Sequence, residues 1–240
     1  AQLRRQLAIL WERRMCIIDT LHTCAIPGHG MLSAAKLSLP LTTMLTESAV
    51  LAVDKHATEQ LKALYLPKLI SGEWTGTMNL TEPHAGTDLA LLNSKAIPQG
   101  DGSYSVTGNK IFITSGDHDW TANIIHLVLA RLPDAPAGVR GISLFLVPKF
   151  LLNENAEPGE KNAVSVGSIE KKMGMKGSPT CVMNYDGATG WLVGEENKGL
   201  ACMFTMMNDA RFHVGLQGLG AAEASYHGAW SYARDRLQSR

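Results

Sequence analysis

The chain has 240 residues, a length that as a prior means one or two domains of about 150 residues each. Its 22 Lys+Arg and 22 Asp+Glu cancel, so no net charge steers it toward nucleic acid or an anionic membrane surface. With 45% hydrophobic and 18% charged residues it has globular rather than disordered composition.

Cys16, Cys24, Cys181 and Cys202 form no C-x-x-C pair, which argues against a zinc site or disulfide framework and for reduced thiols in an intracellular, cytoplasmic protein. Arg4, Arg5, Glu12, Arg13 and Arg14 interrupt the N-terminus, leaving no apolar core of signal-peptide shape. The apolar stretch from Met31 to Val53 carries Lys36, Pro40 and Glu47, so it reads as a buried helix and not as a membrane span.

Residues 1 to about 72 read as helical. Leu3, Leu7, Leu10 and Trp11 recur at helical spacing. Pro27, Gly28 and Gly30 are expected to break that pattern, and Pro40 to start or kink a further helix. Glu59 to Ile70 fits another helix with Leu61, Leu64, Tyr65 and Leu69 on one face, bent or broken at Pro67 and ended by Ser71-Gly72.

From Trp74 the period changes to two. Thr77–Leu80, Leu91–Ile97, Asn123–Arg131, Ile142–Val147, Ala163–Ile169 and Thr180–Tyr185 read as strands. Tyr104–Thr107 and Lys110–Thr114 flank Gly108-Asn109, which reads as a hairpin turn. Seven or eight short strands without intervening helices point to a β-sandwich or barrel and away from a doubly wound nucleotide fold. After Gly190–Gly194 the pattern is helical again, with no proline from about Gly199 to Leu237. Gly215, Gly218 and Gly220 lie inside that helix without matching G-x-G-x-x-G, so they read as points of close helix–helix approach. The fold class is therefore α+β multi-domain: an N-terminal helical domain (1–73), a central β-sandwich or barrel domain (74–194) and the first long helix of a C-terminal bundle (195–240).

The stretch Met78–Asp88 (M-N-L-T-E-P-H-A-G-T-D) ends a strand in a Pro/Gly turn carrying hydroxyls and carboxylates. Alone it reads as an ordinary strand-to-loop turn. Asp117-His118-Asp119 reads as a solvated turn more than a metal site, having no second His/Cys cluster beside it in sequence. Met173, Met175, Met203, Met206 and Met207 read as core fillers. Lys171, Lys172 and Lys176 read as water-facing lysines around a glycine turn, and Glu195-Glu196 as acidic residues favourable at a helix N-terminus. Arg211 and Arg236 are about seven turns apart at 3.6 residues per turn, which puts two anion-binding side chains on nearly one face.

Helices, then a β-domain, then a long helix, together with these motifs, resemble the acyl-CoA dehydrogenase family. The matching residues are Leu80-Thr81-Glu82-Pro83 with Ala85-Gly86-Thr87-Asp88, then Gly108–Gly116 (G-N-K-I-F-I-T-S-G), Gly194–Gly199 (G-E-E-N-K-G), Arg211, and Tyr232–Arg236 (Y-A-R-D-R). The resemblance covers roughly residues 31 to 240 and looks nearest to the bacterial branch that includes 3-methylmercaptopropionyl-CoA dehydrogenase, with the chain ending inside the C-terminal bundle. Thr87 stands where serine is usual, Phe112 where tryptophan or phenylalanine is common, and Ser239 where glycine is usual.

The resemblance implies an FAD-dependent acyl-CoA dehydrogenase that converts an acyl-CoA thioester to the enoyl-CoA, with hydride transfer to flavin N5. It implies that Met78, Leu80 and Thr81 meet the flavin's pyrimidine edge, and that Phe112, Ile113 and Thr114 line the other side of the ring system. Thr87 would touch acyl-CoA, Arg211 would border the acyl pocket, and Arg236 would contact FAD phosphate from a neighbouring subunit of a homodimer or homotetramer. Electron-transferring flavoprotein is the implied acceptor. No residue matches the family's catalytic glutamate, so no catalytic base is assigned. The competing readings are a non-catalytic acyl-CoA- or flavin-binding module and, within the enzyme class, an acyl-CoA oxidase.

Overall fold

A computed structural model describes residues 22–238; the turns expected around Leu3, Leu7, Leu10 and Trp11 lie outside the described residues, as does Ser239. Among the described residues three helices come first: α1 (His22–Ala35), α2 (Pro40–His56) and α3 (Glu59–Ser71). The break expected at Pro27, Gly28 and Gly30 does not occur, because α1 runs through all three. Its packing explains why. α1 crosses the last helix, α4 (Gly199–Asp235), so tightly that a Cβ on Gly220 would stand 2.7 Å from the Gly30 carbonyl oxygen and 3.0 Å from the Ala34 nitrogen. Burial against a partner outweighs weak intrinsic propensity.

α2 starts at Pro40, whose missing N–H costs nothing in a first turn. It lies directly on the first strand: a Cβ on Gly76 would meet Ala49 Cβ at 2.4 Å, and the Gly76 N–H donates to Thr46 Oγ1 at 3.1 Å. α3 is capped by Thr58, whose hydroxyl accepts from Leu61 N at 3.4 Å, and closed by Gly72 in the left-handed region at φ 76°. Pro67 lies inside α3 without breaking it, and Leu61, Tyr65 and Leu69 are buried.

The strands are β1 (Trp74–Asn79), β2 (Lys95–Pro98), β3 (Tyr104–Thr114), β4 (Asn123–Arg131), β5 (Ile142–Pro148), β6 (Phe150–Leu152), β7 (Pro158–Lys161), β8 (Val164–Ile169) and β9 (Thr180–Val193). β6 and β7 form a separate two-stranded hairpin. The others form one sheet that closes on itself, the barrel alternative of the sequence reading. From β4 the ring runs through β2, β3, β9 and β5 and back to β4. β1 lies parallel to β4, Trp74 opposite Asn123 through Asn79 opposite Val128.

β4 is buried along nearly its whole length, and its two faces serve two cores. Ile125, Leu127 and Leu129 pack with Leu45, Val53, Tyr65 and Met203 between the barrel and the helices. Val128 and Ala130 pack with Val106, Ile113, Phe145 and Met183 inside the barrel.

Two strand expectations change. Leu91–Ile97 is not one strand: Leu89–Leu91 forms a 3-10 turn, and pairing begins only at Lys95. The hairpin at Gly108-Asn109 is absent, since β3 passes straight through it. Tyr104–Thr107 pairs with β2, and the whole of β3 pairs with β9, so its two halves never face each other. Gly108 serves a close approach instead of a turn. A Cβ there would lie 2.9 Å from Ser94 Cα, and its φ is 150°.

Candidate functional site

Two chain segments meet at the end of β1. The inward residues of β1 are tied into the barrel by a buried polar chain. Tyr185 donates its hydroxyl to Asn79 Oδ1 at 2.8 Å, the Asn79 amide donates to Thr77 Oγ1 at 2.9 Å, and Thr77 Oγ1 meets His126 Nδ1 at 2.7 Å. Burial holds the His126 imidazole far below its usual range, at about 3. The alternate residues Met78 and Leu80 pack, half-buried, toward the helices.

Past Leu80 the chain turns on Glu82, whose carbonyl accepts from Ala85 N at 3.2 Å and Gly86 N at 3.0 Å, with Gly86 at φ 56°. Asp88 then caps the 3-10 turn by accepting from Ala90 N at 3.0 Å. Thr87 is left exposed between them.

The second segment is the end of β3. Its register slips between Lys110 and Ile113, and Phe112 occupies the left-handed region at φ 60°. This bulge turns the Phe112 ring outward, 59% exposed, while Ile113 on its other side is buried in the barrel core. Ile113 therefore offers main chain and not side chain to anything outside. Thr114 follows, half-exposed. Ser115 is also left-handed at φ 53°; its hydroxyl bonds the Thr42 hydroxyl of α2, and its N–H donates to Pro179 O at 2.7 Å. Phe112 and Ser115, three residues apart, are thus both non-glycine residues in a strained backbone region.

Main chain and charge join the two segments. Ile111 N donates to Thr81 O at 2.9 Å. Lys110, with a fully buried side chain, donates to Leu80 O at 3.1 Å and to Glu82 Oε1 at 2.8 Å. Glu82 also accepts from Asn93 N at 2.7 Å, Ser94 N at 3.1 Å and Ser94 Oγ at 2.5 Å. Burial pushes the Glu82 carboxyl up, but the Lys110 ammonium, the Ser94 hydroxyl and the Asn93 amide outweigh it and hold the group below its ordinary value. Burial lowers Lys110 to about 8, against the opposing pull of Glu82. The sequence contained Glu82 and Lys110 within its motifs but gave them no role. Their signal was one charge of each sign in the two motifs, Glu82 just after Leu80-Thr81 and Lys110 just before Ile111–Thr114.

Met78, Leu80, Thr81, Phe112, Ile113 and Thr114 are thus brought together. Thr87 stands on the loop that leaves this wall. The two arginines are elsewhere. Arg211 is exposed on α4, bonded to Asn208 Oδ1 at 2.7 Å with its guanidinium over the Phe204 ring. Arg236 caps the far end of the same helix, exposed over the Tyr232 ring. The start of α4 is pressed onto the barrel: a Cβ on Gly199 would lie 2.2 Å from the Ser143 carbonyl carbon.

The remaining candidates sort as follows. The turn Asp117–Asp119 is tied into the fold. His118 Nε2 meets Thr75 Oγ1 at 3.1 Å, its ring stacks on Trp120, and Asp117 pairs with Lys149. Met203 and Met206 are core residues, whereas Met173 is fully exposed, because its loop leaves the barrel. Lys172 donates to Ser178 O at 2.7 Å, and Lys171 and Lys176 are exposed. Of the three helix glycines, only Gly220 makes a close approach within the described residues; a Cβ on Gly215 or Gly218 would meet nothing within 4 Å.

A helical layer, a closed barrel with an outward aromatic at its bulged strand, and a long helix anchored on the barrel define an α+β protein of the acyl-CoA dehydrogenase fold. Residues 77–188 match the family described as acyl-CoA dehydrogenase, middle domain, and the chain belongs to the acyl-CoA dehydrogenase family. It is 54% identical to 3-methylmercaptopropionyl-CoA dehydrogenase of Ruegeria pomeroyi over 88% of this chain and 36% of that protein. It is 43% identical to a butyryl-CoA dehydrogenase of Syntrophomonas wolfei over 89% of this chain and 36% of that protein. Among solved structures it resembles butyryl-CoA dehydrogenase from Megasphaera elsdenii with a TM-score of 0.76 at 29% identity, covering 89% of this chain and 53% of that one. The chain thus spans about 36% of the length of these curated relatives.

Proposed function

We propose that this chain is the flavin- and thioester-binding part of an FAD-dependent acyl-CoA dehydrogenase acting on a saturated acyl-CoA. The observation that carries the reading is the joined wall of Leu80–Thr81 and Phe112–Thr114, locked by the Lys110–Glu82 ion pair and left open on its outer face. An exposed aromatic on the segment bonded to Thr81, with half-buried Met78 and Leu80 on that partner segment and hydroxyls at Thr81 and Thr114, fits a flat heteroaromatic ring with a polar edge.

FAD, when bound, supplies the hydride acceptor. The chain's own residues bind and align. Main-chain groups at Met78, Leu80 and Thr81 and the Thr81 hydroxyl would hold the ring's polar edge. Phe112 would cover one side of it, and the Thr114 hydroxyl would bond the ring from β3. Thr87 would orient the acyl-CoA, and Arg211 would border the acyl pocket. Arg236, remote from that wall along α4, suits an FAD phosphate held across a homodimer or homotetramer. Electron-transferring flavoprotein is the proposed acceptor. A cytoplasmic location is part of this reading. No helix among the described residues is long and apolar enough to cross a membrane. Proton abstraction is assigned to no residue of this chain.

Purified full-length protein should be yellow, and an acyl-CoA should bleach the flavin band under anaerobic conditions. A colourless protein that cannot be reconstituted with FAD overturns the reading.

A further inference from the structure

The buried ion pair behind the wall has no contact with the outer face, yet it determines how the two segments sit relative to each other. Lys110 reaches from β3 to Leu80 O and Glu82 Oε1, spanning both sides of Thr81, the residue whose carbonyl receives Ile111 N. Glu82 also accepts from Ser94 N and Ser94 Oγ on Oε1 and from Asn93 N on Oε2. Ser94 is in turn pressed against Gly108 of β3, which has no Cβ to keep it away. Three separate chain segments, 80–82, 93–94 and 108–111, therefore converge on one carboxylate.

A charge this deeply buried is a poor source of net stability, since apolar residues of the same size often do as well. Its fixed geometry suits placement better. Two residues beyond Lys110 the backbone enters the strained left-handed conformation that turns Phe112 outward. A strained segment keeps its conformation only where its surroundings over-determine it.

We infer that Glu82 and Lys110 are positioning residues that set the distance between the Thr81 edge and the Phe112 face, and that FAD affinity depends on their charge pairing. This rests on the flavin reading above. The titratable groups facing Lys110 are Glu82 and, across Glu82 at 3.7 Å, His84. With Lys110 lowered to about 8, raising pH from 7 to 9 removes the ammonium and leaves the carboxylate with neutral donors only.

The test uses full-length apoprotein titrated with FAD, followed by quenching of flavin fluorescence, alongside the thermal midpoint of the FAD-free protein. The double variant Glu82→Gln/Lys110→Met removes both charges and leaves neither unpaired. It is expected to bind FAD at least about tenfold more weakly, with a changed visible absorption shape of whatever flavin it binds, because sub-ångström misplacement is costly in a preformed site. Its FAD-free thermal midpoint should stay close to that of the wild type. An FAD affinity within threefold of wild type overturns the assignment, as does a loss of affinity that only parallels a loss of thermal stability. Should the double variant fail to fold, the wild-type protein decides. FAD binding that weakens between pH 7 and pH 9 supports the role, and an unchanged affinity overturns it. Wild-type protein that binds no FAD at any pH overturns the flavin reading itself, whereas wild-type binding with an insensitive double variant overturns only the positioning role.

Discussion

Phe112 concentrates what is unusual about the wall. It holds a left-handed φ of 60° with a ring that is 59% exposed, so the fold gains little from the ring and carries the strain. In an ordinary strand, glycine is less stable than alanine by roughly 0.5–1 kcal/mol. Here the order should reverse. Alanine keeps the left-handed penalty of about 1 kcal/mol, and glycine removes it. Phe112→Gly is therefore expected to unfold at a urea concentration equal to or above that of Phe112→Ala, while both lose FAD affinity. A clearly lower midpoint for the glycine variant would show that the position is not strained. The aromatic itself was legible in the sequence as part of a motif. Its conformation was not, because the register slip that produces it depends on β9, which lies about 70 residues later.

At the scale of elements, most helices and strands follow from periodicity, and two of the misses share one cause. β3 reads as two strands split at Gly108-Asn109 because glycine beside asparagine is a strong local turn signal, but both halves pair with β9 and the first half also with β2. α1 reads as broken at Pro27–Gly30 because local propensity is poor there, but α4 packs against it. Tertiary contacts that a linear pattern does not contain decided both. The same contacts separate three glycines that the sequence treated alike. In the 240-residue chain, Gly215→Ala and Gly218→Ala should each raise stability by about 0.5–1 kcal/mol, the usual gain in an open helix interior. Gly220→Ala should lower it, since the new methyl would stand 2.7 Å from the Gly30 carbonyl oxygen. Thermal melts of the three variants test the contrast; equal shifts at all three positions would mean that α1 does not press on α4 as described.

At the scale of the whole molecule, two of the buried histidines among the described residues, His126 and His213, have opposite tendencies. His126 is held neutral by burial, at about 3. Its folded value lies below the unfolded 6.5, so the unfolded chain binds the extra proton. Stability from this group is complete above pH 6.5 and falls as pH drops from there toward 3. Burial lowers His213 too, but Asp209 and Glu47 beside it outweigh that and raise it above 6.5. Its contribution is therefore present below pH 6.5 and lost as pH rises through the raised value. Over the range pH 6.5 to 4 His126 acts together with His118, which burial holds at about 4, and both lose stability as pH falls. Chemical denaturation midpoints should fall across that range, and more shallowly in His126→Asn than in wild type. Identical slopes would mean that the barrel interior admits water to the imidazole. Neither environment was legible in advance: His126 sits in a run that reads simply as a buried strand, and nothing local says that its ring points inward.

β9 has one further consequence. Along one edge it pairs with β3 over nearly its full length, and along the other its first half serves β8 while its second half serves β5. One strand thus fixes three registers, and side-chain direction alternates with every residue. Inserting or deleting a single residue between Tyr185 and Trp191 would put the β5 alignment out of step with the β8 alignment. Changes in chain length between relatives of this protein have room instead in the segments outside that ladder, such as the exposed turns at Asp134 and at Asn153–Asn155.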